Sequence, residues 1–127
     1  VIVLDASAAV AALVNDGPAR RLVGNDQLHA PHLVDAEVTS GLRRLAAAGT
    51  ISVPDASSAL RTWQRLGVIR YPLLGLLDRT WELRDSVSTY DATYVALAES
   101  LDCTLVTADA RLSRANSLRC AMTVVPR

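Results

Sequence analysis

Four acidic residues, Asp5, Glu37, Asp91 and Asp109, each adjoin an apolar run that should be buried, and no lysine exists in the chain to neutralise them. Burying several like charges in a low dielectric is strongly unfavourable unless a cation compensates or some carboxylates take up protons. The set therefore points to a divalent metal. Magnesium suits it, as a hard cation that takes carboxylate oxygens and keeps several waters. Two such ions about 3.5–4 Å apart can activate a water and stabilise the departing oxygen in phosphodiester hydrolysis.

The elements that must position these residues read as follows. Val1 to Leu4 is a short apolar, β-branched run, the pattern of a strand buried on both faces of a parallel sheet, and Asp5 ends it. Ala6 to Val14 reads as a buried helix closed by the turn signal Asn15-Asp16-Gly17-Pro18, with Ala19 to Val23 continuing helically. Leu28 to Ala30 is a weak second strand. His32 to Ala48 has helical period, with Glu37 at the margin of its apolar stripe and Gly49 as its stop. Asp55 to Leu66 is expected as a helix capped by Asp55, Val68 to Leu73 as an irregular strand interrupted by Pro72, and Leu76 to Ser86 as a helix. Asp91 to Leu101 is an amphipathic helix entered through Ser88, Thr89 and Tyr90. Thr104 to Thr107 is a strand with Asp109 two residues beyond its end, Arg111 to Ser117 a short helix, and Met122 to Val125 a last strand.

Strands alternating with helices imply an α/β fold, a three-layer α/β/α sandwich with a central, mainly parallel sheet. The length, 127 residues without repeat, linker or low-complexity segment, fits one domain over 1–127. Ligands of such sheets bind outside the carboxyl ends of the strands, where Asp5 and Asp109 fall.

Each acidic residue also has a plain structural reading. At roughly 100° per residue, Val95 and Ala98 lie beside Asp91, so its carboxylate leads the buried stripe; an aspartate in a first turn also serves as a helix-terminus residue. Glu37 can snorkel to solvent, and Asp109 can cap the helix beside it. Asp5, terminating a buried strand, has fewer structural reasons to be there. Asp35 lies about 200° round the helix from Glu37, so it is expected to be exposed or a local hydrogen-bond partner. What capping does not predict is convergence: four separate elements are expected to deliver carboxylates to one edge of one sheet. Ser7 and Thr107 flank Asp5 and Asp109 at two residues' distance, where their hydroxyls can orient ligands or simply serve turns.

Composition narrows the alternatives. Half the residues are hydrophobic and 20% charged, as in a globular protein. The net charge is zero and all thirteen basic residues are arginine, so any nucleic-acid contact must be local. Arg43, Arg44, Arg61, Arg65 and Arg111 are the candidates for a phosphate backbone. Cys103 and Cys120 lie outside any CxxC spacing, and His29 and His32 lack the cluster zinc needs. Neither histidine has a partner for a Ser/His/Asp or Cys/His set. No signal-peptide pattern opens the chain and no apolar run approaches a membrane span, so a cytoplasmic protein is expected. With Val rather than Met first, the numbering is expected to be offset from the full gene product.

The strings Val3-Leu4-Asp5-Ala6-Ser7-Ala8, Ala36-Glu37-Val38, Tyr90-Asp91-Ala92-Thr93-Tyr94-Val95-Ala96-Leu97-Ala98-Glu99 and Leu105-Val106-Thr107-Ala108-Asp109-Ala110-Arg111-Leu112 resemble the PIN-domain family, specifically its VapC-type toxins. The match runs in the right order over nearly the whole chain, and its third and fourth motifs are the most specific. The resemblance implies a Mg2+- or Mn2+-dependent endoribonuclease, with metal-site roles on Asp5, Glu37, Asp91 and Asp109. It further implies an RNA substrate, a homodimer, and a small VapB-type antitoxin whose tail sets an arginine against the acidic cluster. An apolar groove for that tail is expected between Leu42 and Leu76, from Trp63, Val68, Ile69 and Leu73, which serve equally well as core.

A haloacid-dehalogenase-type phosphatase also opens on a strand ending in Asp, but needs a second Asp where Ser7 stands, and a lysine. The missing lysine equally disfavours a receiver domain and a P-loop protein, for which the glycine-rich loop is missing too. The non-enzyme alternative is a PIN-fold module that binds RNA or a partner without turnover.

Overall fold

The computed structural model describes residues 1–127. Five strands, β1 (Ile2–Leu4), β2 (Leu28–Pro31), β3 (Val68–Tyr71), β4 (Thr104–Thr107) and β5 (Met122–Val124), form one sheet in the order β3-β2-β1-β4-β5. Every neighbouring pair is parallel, so the sheet is wholly rather than mainly parallel. Six helices flank it: α1 (Ala6–Val14), α2 (Pro18–Asn25), α3 (Val34–Ala47), α4 (Val53–Arg65), α5 (Leu77–Glu82) and α6 (Thr89–Leu101). Helices α1 to α4 pack on one another and α5 packs on α6, giving three layers. The central strand β1 is buried at every residue, as its continuous apolar run requires. One contiguous cluster of 29 buried apolar residues joins the layers.

The chain runs outward from β1 to β2 and β3, then returns to place β4 on the other side of β1. The reversal opens a crevice beyond the carboxyl ends of β1 and β4, the usual ligand position in an open parallel sheet. On the α1 to α4 side, Gly41 of α3 lets that helix close on α1: a Cβ there would lie 2.9 Å from Val10 Cγ2. This close approach brings the helix carrying Glu37 towards the helix that follows Asp5.

Several boundaries differ from the sequence expectation. Ser52, not Asp55, caps α4: its Oγ accepts the Asp55 amide at 3.1 Å, and the helix begins two residues earlier with Pro54 in its first turn. The strand β3 stops at Tyr71, before Pro72, which cannot donate to a ladder. Leu76 to Ser86 is not one helix; a 3-10 turn over Leu74–Leu76 leads into the six-residue α5. Arg111 to Ser117 keeps only a 3-10 turn, Leu112–Arg114.

Asp35 is a tertiary partner rather than a free or local one. It accepts from Arg70 Nε (2.7 Å) and Nη2 (2.9 Å) and from Trp63 Nε1 (2.8 Å), tying α3 to β3 and α4. Trp63 and Val68, expected as possible groove residues, are core at 2% and 8% exposure. Ile69 is exposed and Leu73 partly buried. No helix is long and apolar enough to cross a membrane.

Candidate metal centre

Asp5 occupies the single-residue link between β1 and α1 and is 5% exposed. Its Oδ1 accepts from the Ala8 amide at 2.9 Å and from Ser7 Oγ at 2.7 Å; its Oδ2 accepts from Thr107 Oγ1 at 2.5 Å. Asp5 thus caps α1, a structural role additional to any chemical one. Burial raises its pKa, outweighing the three hydrogen bonds that favour the anion.

Ser7 and Thr107 do more than flank the site. Ser7 Oγ accepts the Ala108 amide at 2.9 Å, Thr107 Oγ1 accepts the Asp109 amide at 3.0 Å, and the two hydroxyls lie 3.3 Å apart. Together they lock the Asp5 carboxylate to the end of β4, and Thr107 is fully buried.

Glu37 projects from the first turn of α3, where its Oε1 accepts the Tyr94 hydroxyl of α6 at 2.6 Å. Burial raises its pKa first, then repulsion by Asp91 and Asp5, against the Tyr94 hydrogen bond. Asp91 lies three residues after Ser88, the cap of α6, whose Oγ accepts the Asp91 amide at 3.1 Å. Ser88 thus serves as an ordinary N-cap for the helix that carries Asp91. Burial again dominates the upward shift of Asp91, with Asp109 adding repulsion.

Asp5, Glu37 and Asp91 line one cavity of about 720 Å³, with Ser7 and Tyr94 also on its wall. Val10, Val14, Leu45 and Ile51 give it an apolar side, and Arg44 and Arg127 lie at its margin. Asp109 does not line the cavity. It accepts from the Arg111 amide (3.0 Å) and faces Arg111 Nε (3.3 Å), which holds its carboxyl below the usual range.

Three sequence candidates are therefore brought together and the fourth sits outside the cavity, paired with an exposed arginine. Tyr94 stands within the string Tyr90 to Glu99, but a hydroxyl on a core face carries no pattern of its own that marks it as the partner of Glu37. No three acidic, His or Cys groups converge closely enough to enclose an ion. The donor chemistry nevertheless fits a hard divalent cation: three carboxylates in one half-buried cavity repel one another and hold protons too tightly. Arg44 is directed to Ser40 Oγ at 2.9 Å rather than into a salt bridge with this group.

Comparison with known proteins gives the same architecture and a family. VapC ribonuclease Mb0985 of Mycobacterium bovis is 59% identical over 126 residues, 99% of both chains. Ribonuclease VapC1 of Mycobacterium tuberculosis is 43% identical over 128 residues, covering 97% of this chain and 96% of that one. Among solved structures, PAE2754 of Pyrobaculum aerophilum superimposes with a TM-score of 0.69 at 26% identity, over 95% of this chain and 81% of that one. VapBC2 of Rickettsia felis, bound to a DNA fragment from its promoter, gives 0.65 at 18% identity, over 96% and 98%. The family description that matches residues 2–118 is the PIN domain, and the chain belongs to the PIN-domain family.

Proposed function

We propose that the chain is the toxin of a type II toxin–antitoxin pair, a metal-dependent endoribonuclease acting in the cytoplasm as one nuclease domain over residues 1–127. The observation that carries the chemistry is the shared cavity of Asp5, Glu37 and Asp91, three carboxylates from three elements at the switch point of a parallel sheet. High identity to VapC ribonucleases over nearly the full length supports the activity.

In this reading Asp5, Glu37 and Asp91 would hold Mg2+ or Mn2+, with Asp109, paired here with Arg111, as the fourth acidic residue of the set. The bound ion supplies Lewis acidity for attack of water on the phosphodiester. The chain's own contribution is positioning. Ser7 and Thr107 fix the Asp5 oxygens, and Tyr94 fixes Glu37. Arg44 and Arg127 at the margin, and Arg111 beside Asp109, are placed to meet the RNA backbone. Arg43, Arg61 and Arg65 are exposed and do not line the cavity.

The same cavity is the site for the antitoxin: its acidic floor suits an arginine and its apolar wall of Val10, Val14, Leu45 and Ile51 suits the flanking residues. A VapB-type partner is supported by the VapBC assembly among the structural neighbours. Exposed Leu74, Leu77 and Trp81, spaced three and four residues apart, offer an apolar face for a homodimer.

A PIN-fold module that binds RNA without turnover is favoured by one observation, the Asp109–Arg111 pair that keeps the fourth carboxylate out of the cavity. RNA cleavage by purified protein decides between them. Cleavage that needs Mg2+ or Mn2+, stops with chelator and is lost in Asp5→Asn supports the nuclease. Cleavage unchanged in Asp5→Asn rules out the proposed site. In cells, growth arrest by the wild type and not by Asp91→Asn is expected; arrest by both points to sequestration.

A further inference from the structure

We propose that Cys103 and Cys120 form an oxidisable dithiol, a modification site that low-molecular-weight disulfides convert into a cross-link between the β4 and β5 segments. The two residues are 17 positions apart in sequence and belong to no cysteine motif, so only the fold pairs them.

Three observations place them together. The parallel register sets Leu105 opposite Met122, and Cys103 and Cys120 each stand two residues before that first pair, just outside the ladder. The Leu105 amide donates to Ala121 O at 2.9 Å, so the two backbones are still adjacent one residue from Cys120; a disulfide needs a Cα separation of about 4.4–6.8 Å. Both cysteines line one cavity of about 430 Å³, at the opposite end of β4 from the acidic cavity. Both backbones are also fixed. The Cys103 amide donates to Ala98 O at 3.0 Å, just after the left-handed Asp102 that ends α6. The Arg119 amide, next to Cys120, donates to Glu99 Oε2 at 2.8 Å, and Glu99 is in turn held by Arg79 Nε at 2.7 Å.

The cavity also contains Glu99, already held by Arg79 and the Arg119 amide, and Asp102, the left-handed C-cap of α6. Thiol–disulfide exchange is the chemistry that two thiols sharing one cavity support. The Cys103 thiolate attacks one sulfur of the small disulfide, forming a mixed disulfide and expelling one thiolate. The Cys120 thiolate then attacks the Cys103 sulfur and expels the second. Both thiol protons pass through solvent to the leaving groups: one protein dithiol is oxidised and one small disulfide is reduced to two thiols. Burial pushes the Cys120 thiol up to about 11 and also raises Cys103, so exchange is slow at neutral pH and faster at alkaline pH. The cross-link closes the segment that carries Asp109 and Arg111, restricting it in the unfolded chain.

This goes beyond the nuclease reading, and its test does not require RNA. The full chain, reduced and then freed of reductant, is incubated with oxidised glutathione at pH 8 and measured by intact mass. The expected product has lost two hydrogens, carries no glutathione, reverts with dithiothreitol, and melts on the order of 5–10 °C higher. Cys103→Ser and Cys120→Ser should each give only a glutathione adduct on the remaining thiol. Stable glutathione adducts on the folded wild type, a cross-link only between two molecules, or no reaction until the chain is denatured would each overturn the proposal.

Discussion

The Tyr94 hydroxyl donates to Glu37 Oε1 at 2.6 Å, joining α6 to α3 beside the acidic cavity. Tyr94 is 1% exposed and its ring is part of the core, so Tyr94→Phe removes only the hydroxyl. The hydrogen bond lowers the Glu37 pKa, and its loss raises that pKa further. The acidic limb of the cleavage profile should move to higher pH, and activity at pH 7 should fall on the order of tenfold, as when an outer partner of a metal ligand is removed. The fold should lose only about 1 kcal/mol. An unchanged pH profile with unchanged metal dependence removes Tyr94 from the site.

Asp5, Glu37 and Asp91 all bind protons more tightly folded than unfolded, in each case chiefly through burial. Such groups contribute stability that is complete below the unfolded carboxylate range, roughly pH 4, and is lost as pH rises through the raised folded value. Asp35 and Asp109 act oppositely. Arg70 and Arg111 hold them low, so their contribution is present above roughly pH 4 and lost as pH falls through the depressed values. In metal-free protein Asp5, Glu37 and Asp91 should therefore add stability as pH falls through their raised values towards about 4. His29, whose pKa burial lowers, opposes the gain below about pH 6.5, and Asp35 and Asp109 cost stability below about 4. Asp5→Asn should raise the pH 7 melting temperature by a few degrees, on the order of 1 kcal/mol, while abolishing cleavage. A melting-temperature difference between Asp5→Asn and wild type that does not change with pH contradicts this electrostatic account.

Metal should reverse that trend. Mg2+ or Mn2+ at about 100 times its dissociation constant adds about 2.7 kcal/mol to the folded state, and the gain should be smaller at pH 5, where protons compete for the same carboxylates. Chelator should return the protein to its metal-free melting temperature without unfolding it. Thermal melts of the wild type and Asp91→Asn check this; an equal metal-induced shift in both places the ion elsewhere.

Much of the site could be read along the chain because its residues stand at element boundaries. Asp5 follows a continuous apolar strand, Asp91 leads a helical stripe, and both patterns survive without tertiary knowledge. What could not be read depends on register and on residues distant in sequence. Asp35 lies 35 residues before Arg70, and no local pattern links them. The same holds for Cys103 and Cys120, which share a cavity only because β5 lies beside β4. The pairing of Asp109 with Arg111 was local but had a competing explanation as a cap. Leu76 to Ser86 keeps an apolar rhythm, yet α5 spans only Leu77–Glu82, and no glycine or proline after Glu82 signals that end.

Asp35→Ala separates fold from chemistry. It removes the acceptor of Arg70 and of the buried Trp63 Nε1, leaving an indole N–H at 2% residue exposure without its partner. The ion pair itself is a quarter to a half exposed, so its share is small and most of the loss comes from the indole. Destabilisation of about 1–2 kcal/mol is expected, with cleavage at 25 °C unchanged because Asp35 does not line the acidic cavity. Loss of cleavage in a variant that remains fully folded would instead assign Asp35 to the site.

Gly41→Ala tests whether the approach of α1 and α3 sets the spacing of the carboxylates. The added Cβ would lie 2.9 Å from Val10 Cγ2, a methyl on a β-branched side chain that has little freedom to rotate away. Relief requires the helices to separate, at a cost of about 1–3 kcal/mol. Both residues line the acidic cavity, and separation moves Glu37 away from Asp5 while leaving every carboxylate present. Metal affinity should therefore fall severalfold or more, and RNA cleavage should recover at high Mg2+. Isothermal titration with Mn2+ alongside the thermal melt reads both effects. Reduced stability with unchanged affinity would show that the cavity tolerates the shift and that helix spacing does not govern ion binding.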